Sequence, residues 1–229
     1  DFVERAKVLI DEITARGRVP IVAGGTGLFV DSLVKNISFS QVGSNAEIRN
    51  ELAEKSNEEL FEKLLALDPK SAEDIHPNNR KRVIRALELC MSGTSKTEQN
   101  ENSMLIDSPY DALYIGIGYQ DRQKLYDRIN KRVDLMLDAG LENEARQMLG
   151  KQGLTARQAI GHKELQPYID GNITLDEAVE GLKRETRRYA KRQLTWFRRN
   201  ENINWLYADE TSRDELVEKA VDLAKNHLK

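Results

Sequence analysis

Residues 20–30 read Pro-Ile-Val-Ala-Gly-Gly-Thr-Gly-Leu-Phe-Val, and this stretch decides the fold class. The aliphatic run at 21–23 predicts a short buried strand, the glycines after it predict a tight turn, and residues 28–34 predict a helix. An amphipathic helix is also predicted just upstream, over residues 1–16. Helix, strand, glycine turn and helix in this order indicate an α/β fold, in which helices cover a parallel sheet.

The turn between this strand and the following helix is a candidate phosphate-binding site, formed by Gly24, Gly25, Thr26 and Gly27. Glycines allow a ligand to approach the backbone amides, and the start of a helix favours an anion. Thr26 adds a hydroxyl that can bond a phosphate or a base. The same residues would also serve as an ordinary tight turn, and no Gly-Lys-Ser/Thr follows that would make them a Walker loop.

Downstream of this stretch the chain is predicted to be mainly helical. The predicted helices cover 46–67, 71–75, 80–91, 121–138, 141–149, 155–169, 175–199 and the chain from 215 onward. Two more strands are predicted, at 112–118 and 203–207. Three short strands are few for the sheet that so many helices would cover, so we expect further βα units upstream of Asp1.

The composition is that of a globular protein without a membrane anchor. Hydrophobic residues make up 39% and charged residues 32% of the 229, and no apolar run approaches the roughly 20 residues that span a bilayer. The single cysteine, Cys90, cannot form an internal disulfide, so we expect a reducing cytoplasm. The net charge of −3 hides a segregation, because acids gather at 47–62 and beyond 214 whereas bases gather at 183–199.

The segment 78–85, Asn-Asn-Arg-Lys-Arg-Val-Ile-Arg, begins the helix predicted at 80–91. Asn78 or Asn79 is expected to cap this helix. Arg82 and Arg85 are three residues apart and would share a helix face, where two guanidinium groups can grip one phosphate. A solvated helix face explains the same residues equally well, and His76 just upstream is expected to be structural.

Another pair of arginines, Arg128 and Arg132, is spaced by four residues in the helix predicted at 121–138. Such a column can neutralise a diphosphate leaving group. Ion pairs with Asp127 or Asp134 would be a simpler explanation of the same pattern.

The strongest functional signal is the helix predicted at 175–199. Its second half, from residue 183, carries eight basic residues and one acid, Glu185. Positions 183, 187 and 191 form one ridge and positions 184, 188 and 192 form the next, so the bases line one continuous stripe. One acid cannot neutralise this stripe through salt bridges along the helix, and RNA phosphates are the expected ligand.

Five segments in this order resemble the bacterial tRNA dimethylallyltransferase family, also called isopentenylpyrophosphate:tRNA transferases. They are 24–30, 76–88, 128–134 with Gly140, Leu141 and Glu144, 158–164, and 191–198. The resemblance implies an α/β fold with a P-loop NTPase-like parallel-sheet core, incomplete in this sequence, a helical insertion domain and a helical C-terminal part. The implied ranges are 1–39 for part of the core, 40–77 for the insertion, and 78–229 for the rest of the core and the tRNA-binding part.

The resemblance also implies an activity. The family transfers a dimethylallyl group from dimethylallyl diphosphate to the exocyclic amine of the adenosine on the 3′ side of the anticodon, with Mg²⁺. A nucleotide-binding P-loop of the ATP-binding type holds the diphosphate in such proteins, and an aspartate soon after it is the general base. Neither is found in these 229 residues, so we expect the chain as given to be inactive and the Mg²⁺ ligands to lie mainly in a missing N-terminal segment.

Partners and residue roles follow from the same resemblance. The expected partners are the tRNA anticodon stem-loop and dimethylallyl diphosphate, without a membrane, and the enzyme is expected to be a cytoplasmic monomer. The expected catalytic residues are Thr26, which would touch the target nucleotide, and Arg128 and Arg132, which would bind the diphosphate or a nearby RNA phosphate. The residues expected to bind tRNA are Lys81, Arg82, Val83, Ile84, Arg85, Gln158, Ala159, Ile160, Gly161, His162, Lys163, Arg184, Arg187, Arg188, Lys191, Arg192, Gln193 and Arg198. His162 stands where the family often has a tyrosine, and an imidazole can also stack on a base.

Three other functions remain open on the sequence. A non-catalytic RNA-binding module would keep the basic helix and tolerate the loss of the P-loop. An adenylate isopentenyltransferase acting on a free nucleotide would share the core, although a mononucleotide needs no long basic stripe. A generic P-loop kinase likewise gives no reason for the stripe.

Overall fold

Local signals in the sequence set most of the helix boundaries in the computed structural model, which describes residues 2–35, 43, 45–93, 97, 108–148 and 159–229. The chain divides into two compact units, Asp1–Asp111 and Ala112–Lys229.

The first unit is helical in its described residues. Its helices are α1 (Phe2–Ala15), α2 (Gly27–Val34), α3 (Ala46–Ala53), α4 (Asn57–Leu67), α5 (Pro69–Asp74) and α6 (Arg80–Met91). The helix predicted at 46–67 is in fact two helices, because Ser56 starts a new one with a capping box to Glu59. The predictions for residues 80–91 and 28–34 are confirmed to within one residue.

One apolar core joins α3, α4, α5 and α6. Its largest members are fully or almost fully buried, namely Leu52, Leu60, Leu64, Ile75, Val83 and Leu87. The core places the start of α6, where the candidate RNA-binding residues lie, on a rigid helical base. The structure therefore groups 80–91 with the preceding helices, whereas the sequence analysis divides the chain after residue 77; the domain ranges remain a prediction.

The strand predicted at 20–23 is not a strand in the structure. These residues have no regular secondary structure, and Ile21 and Val22 are 87% and 48% exposed. A β-strand needs a neighbouring strand to which its backbone can hydrogen-bond, and no strand is found among the described residues of this unit. The prediction of a short buried strand at this position is thus wrong for the unit as described.

The second unit contains a two-stranded parallel sheet and five helices in its described residues. Strand β1 (Tyr114–Gly118) pairs with β2 (Ile203–Tyr207), with Tyr114 opposite Ile203. The helices are α7 (Arg122–Asp138), α8 (Leu141–Met148), α9 (His162–Ile169), α10 (Leu175–Phe197) and α11 (Arg213–His227). Both strands were predicted, and the parallel pairing agrees with the α/β class.

Gly116 in β1 is required by the sheet. A Cβ atom added there would lie 2.8 Å from side-chain atoms of Ile203 and Trp205 on β2. Non-bonded carbon atoms do not approach so closely. Only glycine at this position therefore lets the side chains of Ile203 and Trp205 pack against β1.

The carboxyl end of β1 is tied to the start of α7. The Asp209 carboxylate, just after β2, accepts hydrogen bonds from the backbone N–H groups of Gln120 and Asp121 at 2.9 and 2.8 Å. Asp121 in turn caps α7 by accepting from the backbone of Gln123 and Lys124. These bonds fix the direction in which α7 leaves the sheet.

A second apolar core joins α7, α8, α9 and α10. It is formed by Val133, Leu141, Ala145, Leu165, Ala178 and Leu182. The buried residues of α10, Ala178 and Leu182, lie in its first half. The second half of α10 contains no fully buried residue, and its Arg184, Lys191 and Arg192 are exposed whereas Leu194 and Phe197 are half-buried.

Candidate nucleic-acid interface

Helix α10 carries the densest positive charge of the described residues. It begins with a capping box between Thr174 and Glu177 and is anchored through Ala178 and Leu182. Eight cations stand in the stripe from residue 183 to 199, six of them on α10, and two of the eight are neutralised: Lys183 lies 2.8 Å from Asp134 on α7, and Arg188 pairs with Glu185. The hydrogen bond to Asp134 raises the pKa of Lys183, so the lysine stays charged and its ion pair links α10 to α7.

The other six cations of the stripe have no carboxylate partner among the described residues. They are Arg184, Arg187, Lys191, Arg192, Arg198 and Arg199. Three of them lie over aromatic rings, with Arg192 5.7 Å from Tyr189, Arg199 5.8 Å from Trp196 and Arg187 5.9 Å from Tyr126. Salt bridging along the helix thus accounts for a small part of the stripe, and a positive surface remains. Gln193 is half-buried beside it.

Arg128 and Arg132 are exposed on α7, and neither forms an ion pair in the part of the chain that the structure describes. Asp127 accepts a hydrogen bond from Gln123 at 2.9 Å, and Asp134 binds Lys183. The simpler explanation by ion pairs with these aspartates is therefore not realised. Arg128 lies 6.0 Å above the Tyr119 ring, just beyond the carboxyl end of β1.

The segment 159–163 lies at the start of α9. Gly161 is buried at the N-cap with φ of 110°, a backbone conformation that favours glycine, and Ala159, Ile160 and Lys163 are exposed. His162 is 17% exposed and lies 3.1 Å from the Glu144 carboxylate. Ionic or hydrogen-bonded contact with Glu144 orients the imidazole. Gln158 lies outside the described residues.

The glycine turn leads into α2 as expected. Thr26 occupies the N-cap position, exposed, and its side chain makes no capping hydrogen bond. A Cβ atom at Gly24 would meet nothing within 4 Å, and its φ is not in the left-handed range. The described fold therefore requires neither the capping ability of the Thr26 hydroxyl nor a glycine at position 24. Gly27 is buried at the first position of the helix, and Gly25 is half-buried.

The start of α6 separates the predicted residues into exposed and buried ones. Lys81 and Arg82 are exposed and Ile84 is half-buried against the first core. Val83 has 0% exposure, so its side chain is a core residue and the expectation that it contacts tRNA needs correction. Asn79 occupies the N-cap of α6, as one of the two predicted candidates, but its side chain makes no capping bond, and the Asn78 N–H donates to Nδ1 of His76.

Arg85 belongs to an ion-pair network that the sequence analysis missed. Its terminal nitrogen donates to the Glu88 carboxylate at 2.6 Å, and Arg49 of α3 donates to the same carboxylate through two nitrogens at 3.0 Å. Glu88 also accepts from the Asn45 N–H at 2.6 Å. Glutamate within the run Ala-Leu-Glu-Leu at 86–89 is the sequence signal, because an acid among buried apolar residues requires a partner.

Burial and hydrogen bonding have opposite effects on the pKa of Glu88. The side chain has 0% exposure, which raises the pKa of the carboxyl, but the bonds from Arg49, Arg85 and Asn45 outweigh burial and lower the pKa to about 2. Glu88 is therefore ionised at neutral pH and holds two arginine side chains in fixed orientations.

The described residues contain neither a cluster of metal ligands nor a helix suited to cross a membrane. No group of three or more His, Cys, Asp or Glu side chains is placed to hold a metal ion there. No helix in the same ranges combines the length and apolar character needed to cross a membrane. The described residues therefore offer no such cluster for Mg²⁺.

Comparison with known proteins identifies the family. The model of the IPP transferase family matches residues 1–200. A tRNA dimethylallyltransferase from Acetivibrio thermocellus is 47% identical over 226 residues, which cover 95% of this chain and 72% of that protein. The chain belongs to the IPP transferase family.

Solved structures agree with this membership. The crystal structure of a tRNA delta(2)-isopentenylpyrophosphate transferase from Staphylococcus epidermidis is 43% identical, with a TM-score of 0.64, and the match covers 98% of this chain and 75% of that one. A eukaryotic dimethylallyltransferase acting on tRNA shares the fold at 24% identity, with a TM-score of 0.72, over 98% of this chain and 61% of that chain. The IPP transferase fold thus covers both units of the chain.

Proposed function

We propose that this IPP transferase modifies tRNA, moving a dimethylallyl group from dimethylallyl diphosphate to the exocyclic amine of the adenosine on the 3′ side of the anticodon. The observation that carries the proposal is its 47% identity, over 95% of the chain, to a protein named tRNA dimethylallyltransferase. The cations of α10 that have no carboxylate partner among the described residues also support it, because a small-molecule acceptor would need no such long positive face.

The chemistry assigns distinct tasks to RNA-binding and diphosphate-binding residues. In the reaction, the amine nitrogen forms a bond to the terminal carbon of the dimethylallyl group while the bond from that carbon to the diphosphate breaks. The amine releases a proton, and the diphosphate leaves with the bonding electrons. An adenine amine is a weak nucleophile, so stabilising the leaving group is the main way to lower the barrier.

The residues of this chain suit those tasks as follows. Arg128 and Arg132, exposed and without ion pairs in the described residues, would neutralise the departing diphosphate or a nearby RNA phosphate. The target base must leave its stack to be reached, and the Thr26 hydroxyl, which makes no capping bond, would contact the target nucleotide. The α10 face would hold the anticodon stem by its phosphates.

The proposal also includes the type of core, the metal requirement and the oligomeric state. The sheet of β1 and β2 would belong to a P-loop NTPase-like core, the enzyme would require Mg²⁺ held mainly by residues outside this sequence, and it would work as a monomer. Dependence of transfer on Mg²⁺ in the presence of a chelator, and sedimentation of the protein with and without tRNA, test the last two points.

The decisive experiment is a prenyl-transfer assay with the complete gene product, dimethylallyl diphosphate and unmodified tRNA. We expect a dimethylallyl-adenosine in the nucleosides of the digested tRNA, detected by mass spectrometry. A tRNA with guanosine at the target position serves as control and should remain unmodified. Binding of tRNA without any transfer would instead favour the non-catalytic RNA-binding module.

Free AMP tests the remaining alternative. An adenylate isopentenyltransferase would prenylate the mononucleotide efficiently, whereas the proposed enzyme should leave it unmodified under conditions in which tRNA reacts. Transfer to AMP but not to tRNA would refute the proposal.

A further inference from the structure

Tyr126 on α7 has two guanidinium groups near its ring, one from Arg122 on the same helix and one from Arg187 on α10. The Arg122 guanidinium carbon is 5.0 Å from the centre of the Tyr126 ring, and that of Arg187 on α10 is 5.9 Å from it. Both distances are within the range of a cation–π interaction. One half-buried aromatic ring thus brings two positive charges together at the junction of α7 and α10.

Neutral groups orient both arginines. Nε of Arg122 donates to the Tyr126 hydroxyl at 2.7 Å, and a terminal nitrogen of Arg187 donates to the Asn130 side-chain oxygen at 2.7 Å. A guanidinium group has five N–H donors, so these bonds leave most of the donors of each arginine for a further acceptor. The two side chains are therefore held in place before any ligand binds.

The positive charge of this cluster has no carboxylate partner in the described ranges. The neighbouring acids on α7 bind other groups: Asp121 caps the helix, Asp127 accepts from Gln123, and Asp134 pairs with Lys183. Two positive charges beside one aromatic ring, without an acid to neutralise them in these ranges, favour the binding of an anion there.

At Tyr168 in the same unit, an arginine beside a tyrosine ring is neutralised by a carboxylate. Arg146 lies 5.3 Å from the Tyr168 ring, but Glu142 accepts from Arg146 at 2.9 Å and from the Tyr168 hydroxyl at 3.2 Å. The same combination of arginine and tyrosine therefore occurs with a carboxylate on α8 and without one at Tyr126.

We propose that Arg122, Arg187, Tyr126 and Asn130 form a phosphate-binding site, in which the anion takes the place that Glu142 has beside Arg146. This inference rests on the proposed function and deepens it, because it adds Arg122 to the phosphate-binding residues and gives Arg187 a fixed orientation. The phosphate is either in the backbone of the tRNA, which would continue along the α10 face, or in the diphosphate of the prenyl donor.

The test compares Arg122→Gln and Arg187→Gln with the wild type in the complete gene product. The first probe is an anticodon stem-loop RNA, whose affinity is measured at several salt concentrations. The second probe is inorganic pyrophosphate, measured by calorimetry. If the site takes a backbone phosphate, the double variant should bind the RNA more weakly, with a slope of log K against log salt shallower by about 1. A loss confined to pyrophosphate would assign the site to the diphosphate.

Arg146→Gln is the matched control, because it removes an arginine over a tyrosine that already has its carboxylate. It should lower the melting temperature without changing either affinity. If Arg122→Gln and Arg187→Gln behave in the same way, the cluster is structural and the inference is overturned. Arg122→Lys keeps the charge but not the planar fork; it should retain the salt slope and bind less tightly, even if the glutamine variant folds poorly.

Failure of this inference is distinguishable from failure of the proposed function. A wild-type enzyme that prenylates tRNA, with Arg122→Gln and Arg187→Gln leaving both affinities unchanged, would refute the site alone. A wild-type enzyme that transfers no prenyl group would refute the proposed function, whatever the variants bind.

Discussion

At the scale of single residues, Glu88 is the side chain whose charge the first unit depends on most directly. Its pKa is lowered from 4.5 to about 2 in the fold, so its contribution is fully present above about pH 4.5 and is lost as the pH falls through 2. A shift of this size corresponds to about 3 kcal/mol of unfolding free energy at neutral pH. We expect Glu88→Gln to destabilise the protein by about that amount at pH 7, and by progressively less towards pH 3, in urea unfolding followed by circular dichroism.

Glu62→Gln provides the control for this prediction, because Glu62 is exposed on α4 of the same unit. It removes the same charge and should change the free energy of unfolding by less than about 0.5 kcal/mol at every pH. An equal effect of Glu88→Gln at pH 7 and pH 3 would mean that lost packing, and not lost ionisation, causes the destabilisation.

A substitution at Thr26 should distinguish an effect on turnover from an effect on stability. Replacing an N-cap threonine by alanine usually costs about 1 kcal/mol of stability, but Thr26 makes no capping bond and should cost almost nothing. Loss of one hydrogen bond to the substrate should instead lower turnover by roughly three- to tenfold. The measurements are the melting temperature and the transfer rate of the complete gene product, with Thr26→Ser expected to keep both near wild type. A lower melting temperature with normal turnover would make the turn purely structural.

At the scale of elements, the second half of α10 is expected to govern the salt dependence of tRNA binding. Arg184, Lys191 and Arg192 are exposed and have no carboxylate partner among the described residues. Replacing all three with alanine should make the slope of log K against log salt shallower by roughly 2, since each phosphate contact contributes about 0.7 to 0.9. Filter binding of unmodified tRNA from low to moderate salt would measure the slope.

The control for α10 removes the same charge from another helix of the same unit. Arg213, Lys219 and Lys225 lie on α11 and are exposed. Their replacement with alanine should leave the slope close to that of the wild type. Equal losses from both triple variants would show that overall charge, and not the face of α10, determines binding.

Elements also show what the sequence could and could not predict. The sequence predicted the start and end of α6 and the capping box of α10. Helix boundaries depend on residues close together in the chain, namely the spacing of apolar residues and the capping residues. The strand predicted at 20–23 is not formed, because a strand requires a partner elsewhere in the chain and local sequence does not show whether one is there. The candidate site followed the same rule: the charged face of α10 was visible in the spacing, while the Glu88 network and the Tyr126 cluster depend on contacts between helices.

At the scale of the whole molecule, a net charge of −3 is combined with the basic face of α10 that is proposed to bind RNA. The ionic strength should decide whether the RNA experiences the net charge or only the local cations. The Debye length is about 30 Å at 0.01 M salt and about 8 Å at 0.15 M. At low salt the RNA should experience repulsion from distant acids, and at physiological salt only the local cations. The exposed acids Asp214, Glu218 and Asp222 on α11 allow a test that leaves the capping Glu215 intact.

Replacing these three acids by Asn, Gln and Asn brings the net charge of the 229 residues from −3 to zero. We expect the affinity for tRNA to rise several-fold at 0.01 M salt and to stay within about twofold of wild type at 0.15 M, because screening removes the long-range term and leaves the contacts of α10 unchanged. Association rates should change more than dissociation rates, since long-range fields act on the encounter. An equal gain at both salt concentrations would place α11 beside the bound RNA, and the charge segregation would then be part of the binding surface itself.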